Sequence, residues 1–199
     1  MLHSDGIYRG AHASMQSFTK EELDALLLIA HQQDLRDFVI LDLMFELFLR
    51  VSEVLELRVG DVLPNRRIVC RRKKGSRDNI LPVRNRHAWA LIRAACETRR
   101  DRAALLFDNY SRRTLDWRIK RYCAIVGIPH EKAHAHAMKH TACQLTMNET
   151  DGNIMAVKAL AGHSDIDSTL RYSDLTAEEA LEIRDAYESQ RANKKDCRQ

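Results

Sequence analysis

The chain has few residues that break helices. Only 7 of its 199 residues are glycine and 3 are proline, which disfavours a turn-rich β-sandwich and leaves room for long helices. Aromatic residues make up 6%. The five cysteines, Cys70, Cys96, Cys123, Cys143 and Cys197, are odd in number and contain no C-x-x-C pair. That pattern argues against a disulfide framework and against a thiolate zinc site. No apolar run approaches the roughly 18 residues of a membrane-spanning helix, and mean hydropathy is −0.42. The opening stretch MLHSDGIYRGAHAS lacks the apolar segment of a secretory signal. The expectation is therefore a cytoplasmic protein with no membrane partner. Neither an internal repeat nor a low-complexity tract is present.

Apolar residues make up 45% of the chain, enough to bury a sizeable core, and charged residues 30%. Lys and Arg exceed Asp and Glu by 32 − 28 = 4, so the clustering of charge matters more than its sum. Residues 1–18 are expected to form a flexible arm, 19–191 one domain, and 192–199 a polar tail. Thr19 and Glu22 match a capping box that opens a helix through Leu23, Leu26, Leu27 and Ala30. A second helix, over about 35–49, is apolar nearly all round, and Ser52 reads as the cap of a short third one. The period then changes. Ile68 to Cys70, a turn at Gly75 and Ser76, and Ile80 to Val83 read as a β-hairpin. Helices follow at about 85–99, 112–126, 137–149 and 153–161, with a short one near 166–171. A second capping box, Thr176 to Glu179, opens a last helix to about Arg191. The expected class is mainly α with a small antiparallel β-sheet, an α+β arrangement.

Five features could carry chemistry. Arg50 ends the most apolar helix, where a guanidinium is either paired with Glu53 or Glu56 or held for a phosphate. The hairpin carries Arg66, Arg67, Arg71, Arg72, Lys73, Lys74 and Arg77, seven cations in twelve positions with no acid among them. Such a run fits either a phosphate backbone or a solvated face. His136 and His140 have a zinc-compatible i,i+4 spacing but no glutamate between them and no obvious third ligand. His136 and Lys139 lie on one helical face near an N-terminus, which favours an anion. Gly162 and His163 follow a helix end, and Tyr172 follows them; taken alone, such a histidine is usually a surface or packing residue and such a tyrosine most often a core or rim one.

In order, Arg50, Lys74, His136-x-x-Lys139, Gly162-His163 and Tyr172 resemble the catalytic series of the tyrosine recombinase (phage integrase) family. Leu49-Arg50-Val51-Ser52-Glu53 matches that family's L-R-x-S-E. Lys73-Lys74-Gly75-Ser76-Arg77-Asp78-Asn79-Ile80-Leu81-Pro82-Val83 follows G-K-G-x-K-x-R-x-V-P-L, with Asn79 at the hairpin arginine. His136-Ala137-Met138-Lys139-His140 follows H-x-L-R-H, with Lys139 at the second arginine. Ala161-Gly162-His163-Ser164 follows L-G-H-S, and Tyr172 lies nine residues after the histidine, as in the family. Lysine keeps the charge at 139 but loses the planar, two-pronged grip of a guanidinium.

The resemblance implies a tyrosine-recombinase catalytic domain that cleaves and rejoins double-stranded DNA through a 3′-phosphotyrosine, with no metal, ATP or other cofactor. Tyr172 is then the nucleophile, and Arg50, Lys139 and His163 stabilise the phosphate. Lys74 is the general acid, and His136 assists proton transfer. Glu53 orients Arg50, and the remaining hairpin cations contact DNA. The resemblance also implies a tetramer on DNA through the last helix, whose Ala177, Ala180, Leu181 and Ile183 share an apolar side. The alternative is a DNA-binding module derived from such an enzyme but impaired by Lys139.

Overall fold

A computed structural model describes residues 17–73 and 77–162 of the chain. The helices expected near 166–171 and from Thr176, the polar tail and most of the arm lie outside the described residues. The end of the expected arm is already packed: Phe18 is buried, and its amide donates to Thr141 Oγ1 at 2.8 Å.

Helix α1 (Lys20–Gln33) starts at the expected capping box. Thr19 Oγ1 accepts from the Glu22 amide at 3.2 Å, and Glu22 Oε2 accepts from the Thr19 amide at 2.7 Å. Leu23, Leu26 and Ala30 are buried along it. Asp34 ends α1 and caps α2 (Leu35–Glu46), its Oδ1 accepting from the Arg36 amide at 2.9 Å. Every residue of α2 from Asp37 to Met44 is buried, so this helix is the axis of the fold. It packs against α1 and against three later helices.

Burying α2 all round also buries two carboxylates. Asp37 is satisfied by Arg118 Nη1 at 2.6 Å and by the hydroxyls of Tyr110, at 2.7 Å, and Tyr122. Asp42 Oδ1 accepts from Asn85 Nδ2 at 2.9 Å, but among the described residues its Oδ2 has no hydrogen-bond partner. Burial pushes the Asp42 carboxyl up to about 7, against the pull of Asn85.

α2 ends at Glu46, three residues before the expected end of its apolar run at Leu49. The amide of Leu49 donates to the Met44 carbonyl at 3.1 Å and that of Phe48 to Phe45 at 3.3 Å. This is the double closure of a Schellman motif. Its left-handed position is held not by glycine but by Phe48, at φ 53°, a strained place for a bulky residue. The buried Phe48 ring joins Ala142, Cys143, Met147, Val157 and Ala161 in a second small apolar cluster.

The chain re-enters a helix at α3 (Val51–Leu55), capped at Arg50 rather than at the expected Ser52. A short β-strand not expected from the sequence, β1 (Val62–Leu63), precedes β2 (Arg67–Cys70) and β3 (Asn79–Pro82). They form an antiparallel sheet in the order β1-β2-β3, with Val62 opposite Ile68, and Cys70 opposite Asn79. Helices α4 (Arg86–Glu97), α5 (Arg112–Ile125), α6 (Ala135–Glu149) and α7 (Ile154–Ala161) complete the described fold. The architecture is mainly α with one small sheet, as expected. Among the described residues no helix is long and apolar enough to cross a membrane.

Candidate active site

Arg50 owes its position to α3. As the residue before the first turn, it is extended (φ −72°, ψ 156°), and its amide donates to Glu53 Oε2 at 2.9 Å. Its guanidinium turns back onto the same carboxylate, Nη1 to Oε1 at 2.7 Å, and Nη1 also approaches the Lys73 carbonyl at 3.4 Å. Among the described residues, Nε and Nη2 donate to nothing, and the side chain is 21% exposed. Arg50 is thus paired with Glu53, one of the two readings of the sequence, and among the described residues its Nε and Nη2 have no acceptor.

Glu53 is fully buried and also accepts from the Lys73 amide at 3.1 Å. Burial alone raises its carboxyl, but the hydrogen bonds from Arg50 and Lys73 outweigh burial and lower it. It is therefore an anion at neutral pH and holds Arg50 through two contacts.

α6 supplies the next groups. His134, not His136, is its cap, with Nδ1 accepting from the Ala137 amide at 3.1 Å. Burial holds His134 below the usual imidazole range. His136 is exposed on the first turn, and its ring lies 6.4 Å from that of His140. Among the described residues no group of three His, Cys, Asp or Glu side chains is arranged to hold a metal ion. Lys139 is buried, and its Nζ donates to the Ala161 carbonyl at 3.2 Å. Burial, and then the neighbouring guanidinium of Arg50, hold its ammonium down to about 8, with Glu53 acting in the opposite direction and Arg72 in the same one.

The hairpin cations do not behave alike. Arg67 and Arg77 are exposed and Arg66 is half-buried. Arg71 is exposed but paired with the buried Asp61 at 2.9 Å, and Lys73 is paired with Glu56. Arg72 corrects the expectation that it contacts DNA, because its side chain is fully buried. Its Nη1 donates to the Phe48 carbonyl at 2.9 Å, and its Nη2 donates to the carbonyls of Leu47 at 2.9 Å and Leu160 at 3.0 Å. Nε and Nη2 also hold Asn79 Oδ1 at 3.1 and 3.0 Å. Counting charges along the hairpin cannot separate such a residue from its solvated neighbours. Lys74, His163 and Tyr172 lie outside the described residues.

One surface was missed by the sequence reading. On α5, Arg112, Arg113 and Lys120 flank a cleft of about 540 Å³ that is also lined by Asp116 and Trp117. Trp117 is 59% exposed, with the Arg121 guanidinium 5.8 Å from its ring centre. Asp116 Oδ1 accepts from the amide of Ala135, so this face begins beside the first turn of α6, which carries His136. The available signal was five cations against one acid along α5.

Fold and site together define a mainly helical domain whose α2–α3 turn, hairpin and α6 gather cations around one buried carboxylate. The chain belongs to the phage integrase family, whose model matches residues 16–179. It is 31% identical over 175 residues to the tyrosine recombinase XerA of Thermococcus kodakarensis, covering 82% of this chain and 59% of that protein. It is 27% identical over 187 residues to the tyrosine recombinase XerD of Vibrio vulnificus, covering 84% of this chain and 59% of that protein. The chain thus spans well under two thirds of the length of these curated relatives. In fold it is similar to the XerH site-specific recombinase bound to its difH substrate, with a TM-score of 0.71 at 20% identity, over 85% of this chain and 53% of that one. It is also similar to the catalytic domain of bacteriophage HP1 integrase, with a TM-score of 0.61 at 20% identity, over 83% of this chain and 90% of that one.

Proposed function

We propose that this chain carries the catalytic domain of a site-specific DNA recombinase and exchanges strands through a tyrosine–phosphate intermediate. One observation carries the reading. Among the described residues, Arg50, Arg72 and Lys139 surround a single carboxylate, Glu53, so this part of the cluster holds 3 − 1 = 2 excess positive charges. An uncompensated, largely desolvated charge excess is costly, and a phosphodiester entering the cluster removes the cost. The relatives named tyrosine recombinases support this reading over that of an impaired binding module.

Attack on a phosphodiester places extra negative charge on its non-bridging oxygens. Arg50, whose Nε and Nη2 have no acceptor among the described residues, and Lys139 are the groups for that charge, with His163 adding a hydrogen bond. The Tyr172 oxygen attacks phosphorus, the bond to the 5′-oxygen breaks, and Lys74 protonates that oxygen; His136 helps take up the phenol proton. Rejoining reverses the steps, so the phosphodiester bond energy is kept and no nucleotide cofactor is consumed. Arg66, Arg67, Arg71, Lys73 and Arg77, together with the α5 face, are the proposed contacts to the DNA backbone. Residues 19–191 form the catalytic unit, the helix from Thr176 docks onto a neighbouring copy in a tetramer on DNA, and the work takes place in the cytoplasm.

The test is a suicide substrate whose nick lets the cleaved fragment diffuse away. The wild-type chain is expected to accumulate a covalent protein–DNA adduct and Tyr172→Phe none. Tight DNA binding with no adduct from either protein defeats the reading.

A further inference from the structure

The hydrogen bonds of Arg72 join three parts of the molecule that the chain keeps apart. On one side are the carbonyls of Leu47 and Phe48, the strained turn that hands α2 over to Arg50. In the middle is Glu53 Oε2, 3.5 Å from Nη1, on the carboxylate that holds Arg50. On the other side is the Leu160 carbonyl at the end of α7. That end is held at every step. Asn79 Nδ2 donates to the carbonyls of Ala159 at 3.2 Å and Leu160 at 3.3 Å, Lys139 Nζ donates to Ala161, and the Arg77 amide donates to Gly162 at 3.1 Å.

A helix C-terminus leaves its last carbonyls without intrahelical donors. Here the donors come from the hairpin and from α6, so the end of α7 cannot shift without disturbing the cation cluster. Gly162 closes the helix at φ 67°, and a Cβ there would lie 3.0 Å from Arg72 Nε and 3.0 Å from the Arg77 carbonyl. The packing is tight enough to specify one arrangement. A buried guanidinium with five N–H donors suits this task, because its planar fork reaches several carbonyls at once.

We infer that Arg72 is a positioning residue: it locks Arg50, Lys139 and the end of α7 into one arrangement rather than binding DNA. It supplies, from two residues beyond β2, a guanidinium against the side chain of Asn79, the hairpin position at which the family resemblance has arginine. The catalytic part of this inference rests on the recombinase reading; the lock itself does not.

Two readouts test it. In single-turnover cleavage of the suicide substrate, Arg72→Met is expected to form adduct at least tenfold more slowly, with DNA affinity within about threefold of wild type. By NMR, the amides of Arg77 and Gly162 are expected to exchange with solvent at least tenfold faster, while those of α1 are unchanged. Adding Asn79→Arg to Arg72→Met is expected to restore most of both. Should Arg72→Met not fold, Arg72→Lys takes its place, since an ammonium keeps the charge but cannot span the same carbonyls. Cleavage within twofold of wild type, or unchanged exchange at the two amides, overturns the inference. So does a loss of DNA affinity matching the loss of cleavage. Absence of adduct from the wild type counts against the recombinase reading, while the exchange rates still test the lock.

Discussion

Lys139 Nζ lies 3.2 Å from the carbonyl of Ala161, so the cation standing at the family's second arginine is fastened to the end of α7. The contact fixes the ammonium in place, but its burial carries a cost. Burial and the Arg50 guanidinium depress its ammonium to about 8, against about 10.4 for a solvated lysine. Below pH 8 the folded protein bears the full cost of the buried charge. Between about 8 and 10.4 the unfolded chain binds more protons, so this group makes stability rise with pH.

Activity is expected to run the other way. The second-order cleavage rate at limiting DNA reports the free enzyme. It should fall above pH 8 as Lys139 loses its charge, and Lys139→Arg should carry activity to higher pH. Rates measured from pH 6.5 to 9.5 check this; identical profiles for the two proteins would show that Lys139 does not supply the charge.

Gly162→Ala should destabilise the protein by about 1–3 kcal/mol, from the left-handed backbone and the crowding against Arg72. For a chain of this size the melting temperature should drop by several degrees. A melting temperature equal to wild type would contradict the tight packing at that turn.

Asp42 has the opposite sign to a paired carboxylate. Its folded value, about 7, lies above the usual 3.9, so between those values the folded state holds more protons and stability falls as pH rises. Asp42→Asn keeps an acceptor for Asn85 and removes the buried charge. It should stabilise the protein by about 1–2 kcal/mol at pH 8 and by much less at pH 5. Urea unfolding at the two pH values decides the point; equal effects at both would refute it.

Arg67→Ala and Arg77→Ala should each lower the slope of log affinity against log salt by about one, the signature of one lost phosphate contact. A Lys139 or Glu53 variant cannot serve as the control here. An exposed cation elsewhere, Arg93 on α4, can, and Arg93→Ala should leave the slope unchanged.

Much of this was legible in the sequence. The capping box at Thr19, the wholly apolar α2 and the switch to a period of two at the hairpin reported local chemistry directly. The order of Arg50, Lys139 and Gly162 along the chain pointed to one site. What escaped was set by tertiary geometry. Arg50 takes the cap that Ser52 was expected to hold, because Glu53 satisfies its amide and its guanidinium together. β1, at two residues, is too short for alternation to reveal. Arg72 looked like its neighbours because nothing in a run of cations tells which one faces inward beneath a strained Phe48 turn. The basic face of α5, with Trp117 in the open, is dispersed at helical spacing and does not form a run.

The most direct measurement is to digest the trapped protein–DNA adduct with trypsin and locate the nucleotide by mass spectrometry. The account predicts a 3′-linked nucleotide on the peptide that runs from Tyr172 to Arg184, on the phenol oxygen of Tyr172. A nucleotide on any other peptide, or an adduct that persists in Tyr172→Phe, would contradict it.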